Sequence, residues 1–340
     1  MQKLLNRIFI IILSLWFVVY GTSPLIVKAA GSITLSPATG IPGSTVTVTA
    51  TGFTANETVA ITYDTTTTLA SGISSASGNW SSPVTIPASA AGSHFIVATG
   101  SASGASANTT FTVTPSISAN PASGVTGSSV TVSGAGFGAS ETGISVTYDG
   151  AQVVSSISAS VQGSWSSSFI VPASASGART ITAAGASNTA NTIFSVTPKI
   201  SSNLATTAPG SSVTITGTGF GASETGIAVT YNGQPITTVP PSISANIKGG
   251  WTATFVVPAS PSGSHTIDAY GSSTSVNSVP DINFTTSAGI SASRPSAAPG
   301  TSVTITGSGF NAGETGITVT YDGNPGASVT SADATGGWKA

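Results

Sequence analysis

The sequence predicts an all-β chain of tandem β-sandwich repeats preceded by an export signal. Three observations carry that prediction. A set of aromatic landmarks recurs at nearly constant spacing, apolar and polar residues alternate with period two between the landmarks, and charged residues make up only 5% of the 340 positions. Ordinary soluble domains carry about 25% charge. Low charge can signal disorder or a membrane protein, but disordered chains lack regularly placed β-branched and aromatic residues. A polytopic membrane protein needs repeated apolar runs of about 20 residues, and the one apolar run here lies at the N-terminus.

Lys3 and Arg7 precede the apolar run Ile8 to Tyr20, Gly21 to Pro24 break it, and Ala29 and Ala30 offer small residues for cleavage. This is the order of a secretory signal peptide over residues 1–30, with an uncleaved signal anchor as the alternative. Beyond residue 30 only Arg179, Lys199, Lys248, Arg294 and Lys339 are cationic. Five scattered cations give no footprint for nucleic acid. Without cysteine there is no disulfide framework, thiolate nucleophile or zinc–thiolate site.

The internal repeat sets the organisation. Gly-Phe occurs at Phe53, Phe137, Phe220 and Phe310. Tyr63, Tyr148, Tyr231 and Tyr321 follow these by ten or eleven residues. Trp80, Trp165, Trp251 and Trp338 come next, and Phe111, Phe194 and Phe284 close the three complete units. The units run 32–114, 115–197, 198–287 and 288–340. The last stops two residues beyond its Trp, so the chain is expected to be a fragment of a longer protein.

The second unit shows the strands in order. Ile117 lies in an edge strand. Val130 and Val132 alternate with Thr131 and Ser133, and Ile144, Val146 and Tyr148 with Ser145 and Thr147. Asp149-Gly150 is a type I′ hairpin signal, and Ile157 lies in the strand that follows. Trp165, Ser167, Phe169 and Val171 share one face of a strand that Pro172 ends. Ile181 and Ala183, then Phe194 and Val196, complete seven strands. Seven short strands with regular turn signals predict an immunoglobulin-like sandwich in each unit. The repeated Trp is expected to plug the space between sheets, contributing about 3 kcal/mol. Ser (58) and Thr (52) fill the outward positions, where Thr keeps strand propensity while staying polar. Joints such as Val113-Thr114-Pro115 and Val196-Thr197-Pro198 are short and stiffened by proline, which predicts a rod on the order of 130 Å long.

At residues 209–220 (Pro-Gly-Ser-Ser-Val-Thr-Ile-Thr-Gly-Thr-Gly-Phe), 227–233 and 250–258, and in matching stretches at 43–53, 127–137 and 300–310, the sequence resembles the IPT/TIG and related bacterial immunoglobulin-like repeats. The resemblance implies a secreted or surface-displayed protein whose repeats act as spacers or adhesive modules. It brings no catalytic residues.

The constellations that could carry chemistry read as structural. Glu57, Glu141, Glu224 and Glu314 recur before the third strand, and Asp64, Asp149, Asn232 and Asp322 just after it. A strand of about 20 Å separates the two sets, too far for a glycosidase pair, which needs about 5–9.5 Å. Asp/Asn-Gly is expected to make the turn and Glu to cap a loop. A calcium ion shared by Asp149 and Glu224 across a joint would need more oxygens than the pattern supplies. His94, Arg179 and His265 occupy one repeat position, so that position holds no catalytic residue. Of 19 aromatics after Ala30, only Phe95 and Tyr270 fall outside the repeated pattern, which argues against a dedicated carbohydrate-binding platform. The third unit is longer around Pro240-Pro241 and between His265 and Phe284, where loop insertions are expected. Thr65–Thr68 replaces the hairpin turn of the first unit and offers an O-glycosylation site. Asn56, Asn79, Asn108 and Asn283 stand in glycosylation triplets.

The expected function is that of a secreted or cell-surface structural or adhesion protein, a stiff stalk of immunoglobulin-like modules. The alternatives are the non-catalytic spacer of a larger exported enzyme, or a surface-layer or filament subunit. No enzyme activity, catalytic residue, cofactor or metal site is expected. Partners would be extracellular proteins or glycans, and any membrane link would be the N-terminal segment or an anchor beyond residue 340.

Overall fold

The computed structural model describes residues 31–340, so the predicted signal segment lies outside the described residues. These residues form two compact units: one runs through Pro115 and takes in Ala135–Ala139 and Val161–Gly163, and the other holds the remainder.

In the first unit two sheets face each other. Ser32–Ser36, Thr45–Thr51 and Trp80–Thr85 form an antiparallel three-stranded sheet. Thr39–Gly40, Ser106–Val113, Gly92–Gly100, Thr58–Tyr63 and Thr67–Ile73 form the five-stranded one. The alternation seen in the sequence decides what lies inside. Val46, Val48 and Ala50 meet Val59, Ile61, Ile96, Ala98 and Phe111, all fully buried, while the Thr and Ser between them face outward.

In the second unit, Ser129–Ala135 pairs with Trp165–Ile170 opposite a sheet of Ser123–Gly124, Thr189–Val196, Gly177–Ala184, Ile144–Tyr148 and Ala151–Ile157. The predicted single edge strand is in fact two pieces. Ser116–Asn120 stays with the first sheet, and past Pro121 the chain crosses so that Ser123–Gly124 runs parallel to Thr189–Val196. Proline has no N–H for the ladder, so the strand cannot run on unbroken. The same division follows Pro37.

The third repeat departs further. Its hairpin partner shrinks to Gln234–Pro235, and Thr238–Val239 instead joins Trp251–Val256 in the opposite sheet. The insertion read as a loop is thus an edge strand, and the second lengthening holds the single turn Val276–Ser278. In the fourth repeat Gly289–Ala292, Ile305–Ser308 and Trp338–Lys339 form one sheet, and Thr315–Tyr321 with Asn324–Ser331 the other. Tyr321 is 80% exposed, against 3–5% for Tyr63, Tyr148 and Tyr231. The strands that cover those three have no counterpart within 288–340.

Each complete repeat is an immunoglobulin-like sandwich. The predicted type I′ turns are present: Asp149 and Gly150 have φ of 47° and 82°. The first repeat keeps the hairpin that the threonine run was read as replacing. Asp64 and Thr65 adopt φ of 46° and 63°, and Thr67–Ile73 pairs back onto Thr58–Tyr63.

Candidate functional site

The recurring glutamates are loop clasps. Glu57 accepts hydrogen bonds from the amides of Thr54, Ala102 and Ser103 at 2.6–2.9 Å and from the Ser103 hydroxyl at 2.7 Å. Led by the Ser103 amide, these bonds outweigh burial and hold its carboxyl down at about 2. Glu224 does the same for the amides of Gly221, Ser273 and Thr274 and the Thr274 hydroxyl. Burial pushes its carboxyl up, yet those bonds together leave it below the usual range. Glu141 accepts from Asn188, and Glu314 from the Asn311 amide. A carboxylate so occupied has little left for a substrate.

The aspartates form a second clasp with the shared His/Arg position. His94 stacks on Tyr63, its Nδ1 2.7 Å from Asp64 Oδ2 and its Nε2 2.8 Å from the Ala90 carbonyl. Arg179 donates from Nη1 to Asp149 at 3.4 Å and from Nη2 to the Ala175 carbonyl at 2.6 Å. His265 stacks on Tyr231, and its Nδ1 accepts from the Asn232 side-chain Nδ2 at 2.9 Å. Each planar group lies between the hairpin turn and the strand beside it. The cation beside Asp149 is therefore Arg179, and Asp149 and Glu224 are each engaged within their own repeats. The tyrosines below are anchored alike: Tyr63, Tyr148 and Tyr231 hydrogen-bond Ser89, Ser174 and Ser260 at 2.7–3.0 Å. Burial pushes all three phenols up.

One arrangement went unread in the sequence. The third repeat has a cavity of about 320 Å³ on its outer sheet face, lined by Thr230, Thr266, Asp268, Tyr270, Val276 and Asp281 among others. Asp268 is 7% and Thr230 5% exposed, and they face each other across the ladder. Burial, with the nearby Asp281 charge, raises the Asp268 carboxyl against a single opposing bond from the Ala269 amide. The available signal was a charge at an outward strand position that is neutral in the other complete repeats, where Val97 and Thr182 stand. Tyr270, already set apart as one of two spare aromatics, lies here, whereas Phe95 stands alone and half-exposed. Among the described residues, no three of His, Asp and Glu gather to hold a metal, and no helix is long and apolar enough to cross a membrane.

Comparison with known proteins follows the fold. Solved structures with similar architecture include invasin, a bacterial integrin-binding protein (16% identity, TM-score 0.23, covering 77% of this chain and 61% of that one). The Bacteroides ovatus mixed-linkage glucan utilization locus protein SGBP-B, solved with a heptasaccharide, matches at 15% identity and TM-score 0.26 over 74% of this chain and 66% of its own. The ICAM-5 D1–D4 ectodomain fragment matches at 15% and 0.27 over 74% of each chain. The chain thus spans less than two thirds of the first two. No curated protein sequence matches it. The IPT/TIG domain model matches residues 115–197 and 192–287, together 173 of the 340 residues. The chain belongs to the IPT/TIG domain family.

Proposed function

We propose that the chain is a secreted or cell-surface structural and adhesion protein, without catalytic activity, whose modules at 32–114, 115–197, 198–287 and 288–340 form a stiff stalk. The observation that carries this reading is a repeated joint within the second unit. The Ser176 amide donates to the Phe220 carbonyl at 3.0 Å, and the Ser262 amide to the Phe310 carbonyl at 3.1 Å. The Ser262 hydroxyl adds a bond to Asn311 at 2.6 Å. Each joint thus ties the loop after the Pro-Ala-Ser or Pro-Ala-Ser-Pro turn to the Gly-Phe of the following repeat. The glycine of that Gly-Phe is required: a Cβ on Gly219 would lie 2.6 Å from the Thr197 carbonyl oxygen, and Gly219 has φ of +66°. Two joints closed by the same bond and the same tight glycine favour one fixed setting over a flexible link. The low charge and Ser/Thr exterior accord with an exported protein.

Small-angle X-ray scattering on the protein recovered from the medium of expressing cells tests the stalk. A rod of about 130 Å has a radius of gyration near ~37 Å, whereas a compact globule of this length would give about 20 Å. A value near the globule sinks the stalk reading. Gly219→Val is expected to broaden the distribution of lengths while leaving the circular dichroism of the sheets unchanged. Mass spectrometry of the recovered protein checks export, with an N-terminus just after Ala29 or Ala30 as the expected result.

A further inference from the structure

We propose that the cavity on the outer face of the third repeat is a binding pocket for an organic cation, the guanidinium or ammonium head of an arginine or lysine side chain on a protein partner. The proposal concerns one repeat and is independent of the stalk reading.

The strand Gly263–Tyr270 sends Ile267 and Ala269 into the core, both fully buried, and so turns Asp268 to the opposite face. In the first two repeats the position is half-buried and neutral, held by Val97 and Thr182. Here the excursion from Gly271 to Asp281 covers it, because in the third repeat Phe284 lies 19 residues after His265, where in the second Phe194 lies 15 after Arg179. The result is a carboxylate only 7% exposed, set in the wall of the cavity. Its Oδ1 accepts the Ala269 amide, and no side chain reaches its Oδ2. Thr230, beside it and more buried still, makes no side-chain hydrogen bond. Buried polar groups are ordinarily satisfied, and a buried charge is ordinarily paired. Among the described residues neither Asp268 nor Asp281 has an ion-pair partner, whereas Asp64 and Asp149 pair with His94 and Arg179.

Two carboxylates on one cavity wall call for positive charge. A divalent metal would want a larger set of acidic or histidine ligands than this wall supplies. A sugar would want an aromatic platform, and Tyr270 is the only aromatic lining the cavity. One tyrosine ring with two carboxylates and threonine hydroxyls suits a guanidinium or alkylammonium, which takes cation–π contact and charge-assisted hydrogen bonds together. A volume of about 320 Å³ accommodates one such side chain, at the low end of ligand pockets.

Saturation-transfer NMR on the exported full chain, with Nα-acetyl-arginine amide and Nα-acetyl-lysine amide as probes, tests the assignment. The expected result is binding that weakens as salt rises and falls about tenfold in Asp268→Asn and in Asp281→Asn, with Asp322→Asn unaffected. Asp268→Asn should also raise Tm, because it removes an unpaired buried carboxylate; a carboxylate serving the fold would lower it. Asp281 is exposed, so its variant carries the test if the other fails to fold. Absence of binding by the unmodified chain, binding equal in both variants, or occupation of the pocket by calcium or a neutral oligosaccharide that arginine amide does not displace overturns the proposal.

Discussion

Trp251 faces Gly217 across a strand ladder, and that pairing shows how single residues set this core. A Cβ added to Gly217 would lie 2.0 Å from the indole nitrogen. Gly134 stands in the same relation to Trp165, and Gly307 to Trp338. The first repeat has Ala50 opposite Trp80, and there the ring lies over Gly72 of the next strand instead. The methyl group of Ala50 fills the site that the other indoles occupy, and the missing Cβ has moved with the ring. Gly217→Ala is accordingly expected to cost about 1–3 kcal/mol by overpacking, read as a lower midpoint in urea. Ala50→Gly should cost no more than about 1 kcal/mol. The tryptophans were legible from spacing alone, but their landing glycines were not, because a cross-strand partner is fixed by register rather than by distance along the chain. Glu57 supplies a second prediction at this scale. Its folded carboxyl lies at about 2, below its ordinary value of 4.5, mainly through the Ser103 amide against the opposing effect of burial. A depressed carboxyl contributes stability that is present above the unfolded value and lost as pH falls through the folded one. Between about pH 5 and 2 the unmodified chain should therefore lose stability more steeply than Glu57→Gln, measured as the difference in urea midpoints across that window.

Strands and turns followed the sequence wherever alternation and turn chemistry agreed. Ile144–Tyr148, Asp149-Gly150 and Ala151–Ile157 form the hairpin that their residue types demand. The reading failed where a very short strand had to choose between sheets. Thr238–Val239 has two residues, too few for a period, and it pairs with Phe255 and Thr254 in the opposite sheet. It failed differently at Thr65–Thr68, where tertiary pairing of Thr67–Ile73 imposes a turn that the local sequence disfavours. Thr65 carries a β-branched side chain at φ of +63°, a conformation that costs an L-residue about 1–2 kcal/mol. Thr65→Gly should relieve it and stabilise the first unit by about 0.5–1 kcal/mol after the entropy cost of glycine. Differential scanning calorimetry checks the sign; a lower Tm would mean that the Thr65 hydroxyl bond to the Asp64 carbonyl at 2.6 Å outweighs the backbone strain.

At the scale of the whole molecule, the low charge that first suggested disorder becomes a statement about accessible cleavage sites. The five cations beyond residue 30 differ in how much the fold protects them. Arg179 lies within the paired strand Gly177–Ala184 with its guanidinium on the Ala175 carbonyl. Lys199 opens a strand paired to Ser212–Thr218, and Lys339 pairs with Thr306. Arg294 precedes Pro295, and an Arg–Pro bond resists trypsin. Lys248 stands in an exposed turn, between Asn246 and Gly249, outside any strand and with no proline after it. Cleavage of a folded chain needs local opening, which is cheap at a turn and approaches the global unfolding energy inside a sheet. Limited trypsin digestion should therefore proceed slowly and begin at Lys248, splitting the third repeat between Thr238–Val239 and Trp251–Val256, and Lys248→Ala should leave the chain intact over the same period. Rapid conversion to the full set of tryptic peptides, with no accumulation of the fragment ending at Lys248, would mean that the sandwiches open as readily as their loops. The tight glycines, buried tryptophans and carboxylate clasps would then not be holding the repeats closed.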